Sequence, residues 1–203
     1  MHGRWLENTP ENVAVTSAVA YYFADYLQDV LEVPVGIMVT SLGGSRIEPW
    51  ISREAMTRMY PDIDLSFLDN DAPVKSAHND PCVLFNAKIN PLTNYGIRGF
   101  LWYQGESNRD NAAQYAGLMG TLATDWRGRF GGGDKMPFLF VEIAPFDYEG
   151  ADGISAALLR EAQADASRTI PNSGIASTID AGNYNFIPVS YTHLRAHETL
   201  MNL

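Results

Sequence analysis

Apolar residues recur along the chain at two spacings, which predict alternating helices and strands. Over residues 11–31 they recur every three or four positions after Thr9 and Pro10, a typical helix start, so one helix is predicted. Two later segments are also predicted to be helical: NAAQYAGLMGTLATDWRGRF and ISAALLREAQADASRTI. Short runs rich in branched and aromatic residues predict four buried strands: VPVGIMVTSLGG, IRGFLWYQG, MPFLFVEIAPF and SGIASTIDAG.

This alternation predicts an α/β fold, a three-layer α/β/α sandwich with a mostly parallel sheet, because parallel strands need helical crossovers. In such sheets ligands bind beyond the carboxyl ends of the strands. The rule selects three segments for the functional site: SLGGSRIEPW, YQGESN and IDAGN.

Charge and composition narrow the classes of partner. The net charge of −10 disfavours nucleic acid and anionic membranes, since both would be repelled. The single Cys82 can form no internal disulfide and has no neighbouring metal-ligand pair, so no metal site is expected there. No stretch reaches the roughly 20 apolar residues that a spanning helix needs.

The first selected segment combines glycines with side chains suited to a sugar. Gly43 and Gly44 would let backbone N–H groups face a ligand, as an oxyanion hole requires, although two glycines alone are more typical of an ordinary turn. Arg46 and Glu48 could bind hydroxyls, and Trp50 could stack on a sugar ring.

The second segment contains a serine that resembles a nucleophile only in part. Ser107 fits the start of the G-x-S-x-G elbow, but Arg109 stands where the second glycine belongs, so helix capping is the better interpretation. Gln104 and Asn108 are candidate amide donors to an oxyanion, and Glu106 could anchor the loop or accept from a substrate hydroxyl.

Histidines offer no evident general base. The chain has four: His2, His78, His193 and His197. The first is terminal, the second lies in an acidic irregular segment, and the last two follow the final ordered pattern. HLRAH also lacks the glutamate of the zinc motif H-E-x-x-H, so zinc is not expected.

Taken together, SLGGSRIEPW, LFNAKINPLTNYGIRGFLWYQGESN, YAGLMGTLATDWRGRFGGGDKMPFLFVEIAPF, LLREAQ and PNSGIASTIDAGN resemble the sialate O-acetylesterase family of the SGNH hydrolase superfamily, over about residues 13–187. The resemblance implies a flavodoxin-like fold and removal of acetyl groups from sugar hydroxyls by a serine, a histidine and an aspartate. It implies an O-acetylated carbohydrate as partner and no metal or organic cofactor. Many relatives are secreted or periplasmic.

The motifs and the resemblance together give the candidate site residues. The oxyanion-hole positions are Gly44, Gln104 and Asn108. The substrate-pocket positions are Ser45, Arg46, Glu48, Trp50, Gly105, Glu106 and Asp180. Asp180 matches the family's D-x-G, but ending a strand and fixing a turn is an equally good interpretation.

Two departures from the family lead to an expectation of truncation. The family's nucleophile lies in a GQSNM-like segment, which nothing before Trp5 contains, and Pro188 follows Ile187 where the family has its histidine. We therefore expect residues 1–187 to be a partial domain, incomplete at both ends. Residues 188–203 are expected to be a non-homologous tail, and the chain to be inactive or nearly so.

Two other functions fit parts of the pattern. A non-catalytic carbohydrate-binding relative would retain the aromatic residues Trp50, Trp102 and Tyr103. A lipase-like α/β-hydrolase is disfavoured by the missing elbow glycine and by the lack of a histidine in a suitable late loop.

Overall fold

The computed structural model describes residues 3–70, 73–148 and 153–180. The described residues fall into two compact units, one within Met1–Ser41, Ala144–Asp147 and Thr178–Leu203, the other within Leu42–Ile143 and Tyr148–Ser177. The helices are α1 (Pro10–Val13), α2 (Ala18–Leu31), α3 (Arg53–Met59), α4 (Ala112–Arg129) and α5 (Ser155–Thr169). The strands are β1 (Phe100–Tyr103), β2 (Phe138–Val141) and β3 (Ser173–Ala176).

In the first unit, the single helix predicted over residues 11–31 is split into α1 and α2. The break falls between Val13 and Ala18. Ser17 causes a new start, because its side chain accepts a hydrogen bond from the Ala20 N–H at 3.3 Å and thereby caps α2. The prediction was correct for most of the helix and wrong at this break.

The first predicted strand is not formed. Residues 33–44 belong to no strand, and Val33 and Val39 are each 49% exposed. A strand requires a neighbour to satisfy its backbone groups, and the paired strands of the described residues all come from the second unit. An apolar, β-branched composition therefore did not suffice to specify a strand at this position.

The second unit is built on a parallel sheet with the order β1, β2, β3. Phe100 pairs with Phe138 and Phe138 with Ser173, so the three strands start in register and end in register. The crossovers contain α4 and α5. This arrangement confirms the predicted α/β class and the other three predicted strands.

Both crossover helices bury the faces that their periodicity predicts. The buried residues of α4 include Tyr115, Leu118, Met119, Leu122, Ala123 and Trp126. The buried residues of α5 are Leu159, Ala162, Gln163 and Ala166. The spacing of three and four matches one stripe of a helix against the core. No helix in the described part of the chain is long and apolar enough to cross a membrane.

A buried arginine closes the amino edge of the sheet. Arg127 is 2% exposed. Its Nε donates to the Met136 carbonyl at 2.7 Å, and its Nη2 donates to the carbonyls of Pro171 and Asn172 at 2.7 and 3.0 Å. These bonds hold together the segments that lead into β2 and β3, which leaves the carboxyl edge for a functional site.

Candidate active site

The loop after β1 docks on the loop that contains the paired glycines. Gln104, the first residue after β1, donates from Nε2 to the Ser45 carbonyl at 2.8 Å and to Asn108 Oδ1 at 2.9 Å. An amide nitrogen carries two hydrogens, so both are used in these bonds. Donation by Gln104 to an oxyanion would require one of them to be released, and this role stays a prediction.

The side chain of Asn108 makes the central hydrogen bonds between the two loops, and we call this its hub role. It is fully buried. Its Oδ1 accepts from the Ile47 N–H at 2.9 Å, in addition to Gln104, and its Nδ2 donates to Glu48 Oε2 at 3.0 Å. With no exposed surface, Asn108 acts here by holding the first loop in place, and its predicted direct contact with an oxyanion stays untested.

Charged side chains reinforce the same contact. Arg46 Nη1 lies 2.9 and 3.0 Å from the two carboxylate oxygens of Asp110, and Arg46 Nε lies 3.6 Å from Glu48 Oε2. Burial disfavours the charged guanidinium, but the hydrogen bond to Asp110 and the charge of Glu48 outweigh it and raise the pKa of Arg46. The guanidinium is therefore engaged by two carboxylates.

Gly44 combines a positive φ with a fixed peptide orientation. Its φ of +74° lies in the left-handed region that favours glycine. Its carbonyl accepts from Ser107 Oγ at 2.8 Å, while its N–H has no acceptor among the described residues. Ser107 thus fixes the orientation of the Gly44 peptide.

Ser45 and Trp50 are buried and support the loop that contains Gly44. The Ser45 hydroxyl donates to the Leu42 carbonyl at 2.8 Å and accepts from Trp50 Nε1 at 2.9 Å. Trp50 is 3% exposed, and its ring packs edge-on against Trp102, with 6.0 Å between the centroids. In this arrangement Trp50 is a core residue, and the stacking of a sugar on its ring stays an untested prediction.

Two buried residues of the crossover helices support Gln104 and were missed in the sequence. Tyr115 OH lies 2.9 Å from both the backbone carbonyl and Oε1 of Gln104, and burial raises the pKa of this tyrosine. Gln163 Nε2 donates to the Gln104 carbonyl at 3.2 Å, and its Oε1 accepts from the Ile143 N–H at 3.0 Å. In the sequence, the sign of these two residues was a polar side chain on the otherwise apolar face of each predicted helix.

His78 was also missed as a neighbour of the site. Its carbonyl accepts from the Arg46 N–H at 2.8 Å, and its ring carbon Cδ2 lies 3.9 Å from the point where a Cβ on Gly44 would stand. The side chain is exposed. The acidic, irregular segment around His78 has no periodicity, so no pattern in it predicted that His78 would lie beside Gly44.

Glu106 and Arg109 lie one helical turn apart in the short segment Glu106–Asn111. Burial raises the pKa of the Glu106 carboxyl, while backbone hydrogen bonds and the positive charge of Arg109 act in the opposite direction. The Arg109 guanidinium carbon lies 4.0 Å from the centre of the Tyr148 ring. Glu106 therefore has an unusual environment for a carboxylate, beside a cation but partly removed from water.

Replacing Glu106 by glutamine is expected to change how stability depends on pH. Because the folded-state pKa is raised, the contribution of Glu106 to stability is fully present below its unfolded pKa of about 4.3 and is lost as pH rises through the folded value. Glu106→Gln should therefore gain stability relative to the wild type between pH 4 and pH 7. Urea denaturation at both pH values measures this, with the exposed Glu161→Gln as control. Equal pH dependence in the two variants would contradict the assignment.

The third predicted loop, IDAGN, lies only partly within the described residues. Asp180 lies in a turn and belongs to the first unit, so its assignment to the pocket stays a prediction. His193 and His197 lie outside the described residues, as does the whole segment 188–203. Within the described part, no group of three or more histidine, cysteine or carboxylate side chains could hold a metal ion.

Comparisons with known proteins find a matching family and a similar solved structure. The family described as "Carbohydrate esterase, sialic acid-specific acetylesterase" matches residues 7–199. The match extends beyond Ile187, so the boundary predicted there stays a prediction. Among solved structures, a carbohydrate acetylesterase from Xanthomonas citri superposes with a TM-score of 0.82 at 32% identity, covering 98% of this chain and 43% of that one.

Curated relatives point to the same family. Mouse sialate O-acetylesterase is 28% identical over 200 residues, which are 84% of this chain and 37% of the relative. The human enzyme is 33% identical over 153 residues, which are 70% of this chain and 29% of the relative. The chain thus spans about a third of the length of these curated relatives. Because this family matches nearly the whole length of the chain, the chain belongs to the sialic acid-specific acetylesterase family of carbohydrate esterases.

Proposed function

We propose that the protein hydrolyses acetyl esters on carbohydrate hydroxyls, with O-acetylated sialic acids as the substrate class. The observation that carries this proposal is the Gly44 N–H. It has no acceptor among the described residues and sits in a loop held rigidly by Ser107 and by the Asn108 network. A fixed backbone donor at the carboxyl edge of a parallel sheet suits a developing oxyanion.

In the proposed mechanism a serine hydroxyl attacks the acetyl carbonyl while a histidine takes its proton. The carbonyl oxygen becomes an oxyanion, which accepts a hydrogen bond from the Gly44 N–H. As the intermediate collapses, the histidine gives its proton to the sugar oxygen, which leaves as a hydroxyl. Water then hydrolyses the acetyl-enzyme to acetate and frees the serine. This chemistry is complete without a metal or an organic cofactor. Loss of one oxyanion donor typically lowers turnover by about 10² to 10³.

The test is an acetate-release assay on the protein expressed from its complete source gene. Two substrates are used, 4-nitrophenyl acetate and 9-O-acetyl-N-acetylneuraminic acid. Turnover of both supports the proposal. Saturable binding of the sugar without turnover of either ester would overturn it and favour a carbohydrate-binding relative.

Ser107→Ala is expected to lower ester turnover by no more than about tenfold, the equivalent of one exposed hydrogen bond. Removal of a true nucleophile costs about 10⁶ in kcat. The size of the loss in the same assay therefore decides whether Ser107 orients Gly44 or attacks the ester. A loss of 10⁵ or more would identify Ser107 as the nucleophile.

We also propose that the 203-residue chain expressed alone has little or no esterase activity. The two serines beside the oxyanion loop, Ser45 and Ser107, donate to the backbone carbonyls of Leu42 and Gly44 rather than to a histidine. A serine without a base is a weak nucleophile. Rapid turnover of 4-nitrophenyl acetate by the isolated chain would contradict this.

A further inference from the structure

Arg109 has no carboxylate within 4.0 Å among the described residues. Five other arginines in the described part of the chain lie within 4.0 Å of a carboxylate: Arg46, Arg53, Arg127, Arg129 and Arg168. Arg109 has no such contact there, and its Nε is buried without a hydrogen-bond partner. An unsatisfied buried donor on a charged group is costly, so its presence calls for an explanation.

Tyr148 holds the guanidinium in one orientation. The Arg109 Cζ lies 4.0 Å from the centre of the Tyr148 ring, and Tyr148 itself is only 8% exposed. A ring over one face of a guanidinium leaves the N–H groups at its edge able to donate in the plane. The terminal nitrogens of Arg109 are not among the buried atoms that lack partners, and they form no hydrogen bond with the described residues. They therefore remain available to a ligand.

Arg109 lies in the segment whose other residues contact the loop around Gly44, but it makes none of those contacts itself. It directly follows Asn108 in the loop after β1, at the carboxyl edge of the sheet. Its neighbours Ser107 and Asp110 contact the first loop, through Gly44 and Arg46. Since the acetyl ester and the carboxylate of a sialic acid lie on different parts of the sugar, a carboxylate site should lie beside the oxyanion loop.

The net charge of the chain disfavours an acidic substrate at long range, and a local cation would offset this at the site. The chain carries a net charge of −10, which repels an anion at long range. Arg46 cannot compensate, because Asp110 and Glu48 already engage it. Glu106 interacts electrostatically with Arg109, but it makes no contact with the guanidinium within 4.0 Å and so does not occupy it.

We infer that Arg109, oriented by Tyr148, binds the carboxylate of an acidic sugar and so selects O-acetylated sialic acids over neutral acetylated sugars. The inference rests on the proposed esterase function and adds to it the residue that distinguishes the substrate class. A planar guanidinium can form two parallel hydrogen bonds to a carboxylate, a geometry that an ammonium cannot reproduce.

The test compares 9-O-acetyl-N-acetylneuraminic acid with its neutral methyl ester in the complete protein. For Arg109→Met, kcat/KM for the acid is expected to fall about ten- to a hundredfold relative to that for the methyl ester, with the change mainly in KM. Arg109→Lys should restore only part of the preference. The matched control is Arg98→Met, which removes the same charge from an exposed arginine before the amino end of β1 and should leave the acid-to-ester ratio unchanged.

The outcomes separate this inference from the proposed function. If the wild type hydrolyses neither 4-nitrophenyl acetate nor the two sugars, the esterase function fails. If it hydrolyses 4-nitrophenyl acetate and both sugars, but Arg109→Met leaves the ratio of acid to methyl ester unchanged, only the carboxylate site is overturned. An equal loss on both sugars, together with a lower Tm, would show that Arg109 serves only to pack against Tyr148 and would also overturn it.

Discussion

Asn108→Ala is expected to lower the free energy of unfolding by about 3 kcal/mol or more and to abolish most ester turnover. The substitution removes one acceptor and one donor that are fully buried. The Ile47 N–H, Gln104 Nε2 and the Glu48 carboxylate each lose a hydrogen bond. Each buried group left unsatisfied costs about 1–3 kcal/mol, and the cost is higher for a charged group.

The stability of the variant is measured by urea denaturation, and an unchanged m value would indicate that the loss reflects stability alone. Asn111→Ala is the control, because Asn111 lies in the same segment and makes only an exposed hydrogen bond to Gln114 at 3.2 Å. It should cost less than about 1 kcal/mol. An equal loss in the two variants would contradict the hub role of Asn108.

Asn108→Asp separates hydrogen bonding from charge. The new carboxylate can still accept from Ile47 and Gln104, but it would face Glu48 at the position of a 3.0 Å hydrogen bond. Two like charges so close raise the pKa of one of the carboxyls. The variant should therefore be most stable at acid pH and lose stability as pH rises through that raised value.

The sequence predicted those parts of the fold that periodicity determines. The helices α4 and α5 and the three paired strands follow from spacings of three and four residues and from short apolar runs. Residues 33–44 have an equally strong apolar composition yet form no strand, because pairing depends on a neighbour that local composition does not encode. The break in the first helix depends on one capping bond from Ser17.

The carboxyl-edge rule predicted that the loops SLGGSRIEPW and YQGESN meet, but not what each side chain does there. It predicted that Gln104 and Asn108 would lie near Ser45, and in the structure Gln104 forms hydrogen bonds with both of the others. It could not reveal that Asn108 is fully buried or that Trp50 is part of the core, because burial depends on packing across about 60 residues of sequence. Pairings such as Arg46 with Asp110 are likewise set by the tertiary fold.

Gly105→Ala is expected to be destabilising by roughly 2–6 kcal/mol, through two independent causes. The residue has a φ of +154°, which side chains rarely adopt, and such strain costs of order 1–3 kcal/mol. An added Cβ would also lie 2.8 Å from Ile143 Cγ2 and 2.9 Å from Leu159 Cδ2. Both side chains are fully buried, so they cannot move away freely, and overpacking adds roughly 1–3 kcal/mol.

The same substitution should also disturb the support of Gln104 in the candidate active site. The added Cβ would stand 3.3 Å from Gln163 Nε2, which donates to the Gln104 carbonyl. Gly120→Ala is the matched control, since Gly120 lies within α4 with no atom within 4 Å of its added Cβ, and it should be neutral or stabilising by up to about 1 kcal/mol. Thermal unfolding and ester turnover are measured for both. A Gly105→Ala protein as stable as the wild type would show that α5 can shift away from the loop, and the rigid support inferred for Gln104 would then be wrong.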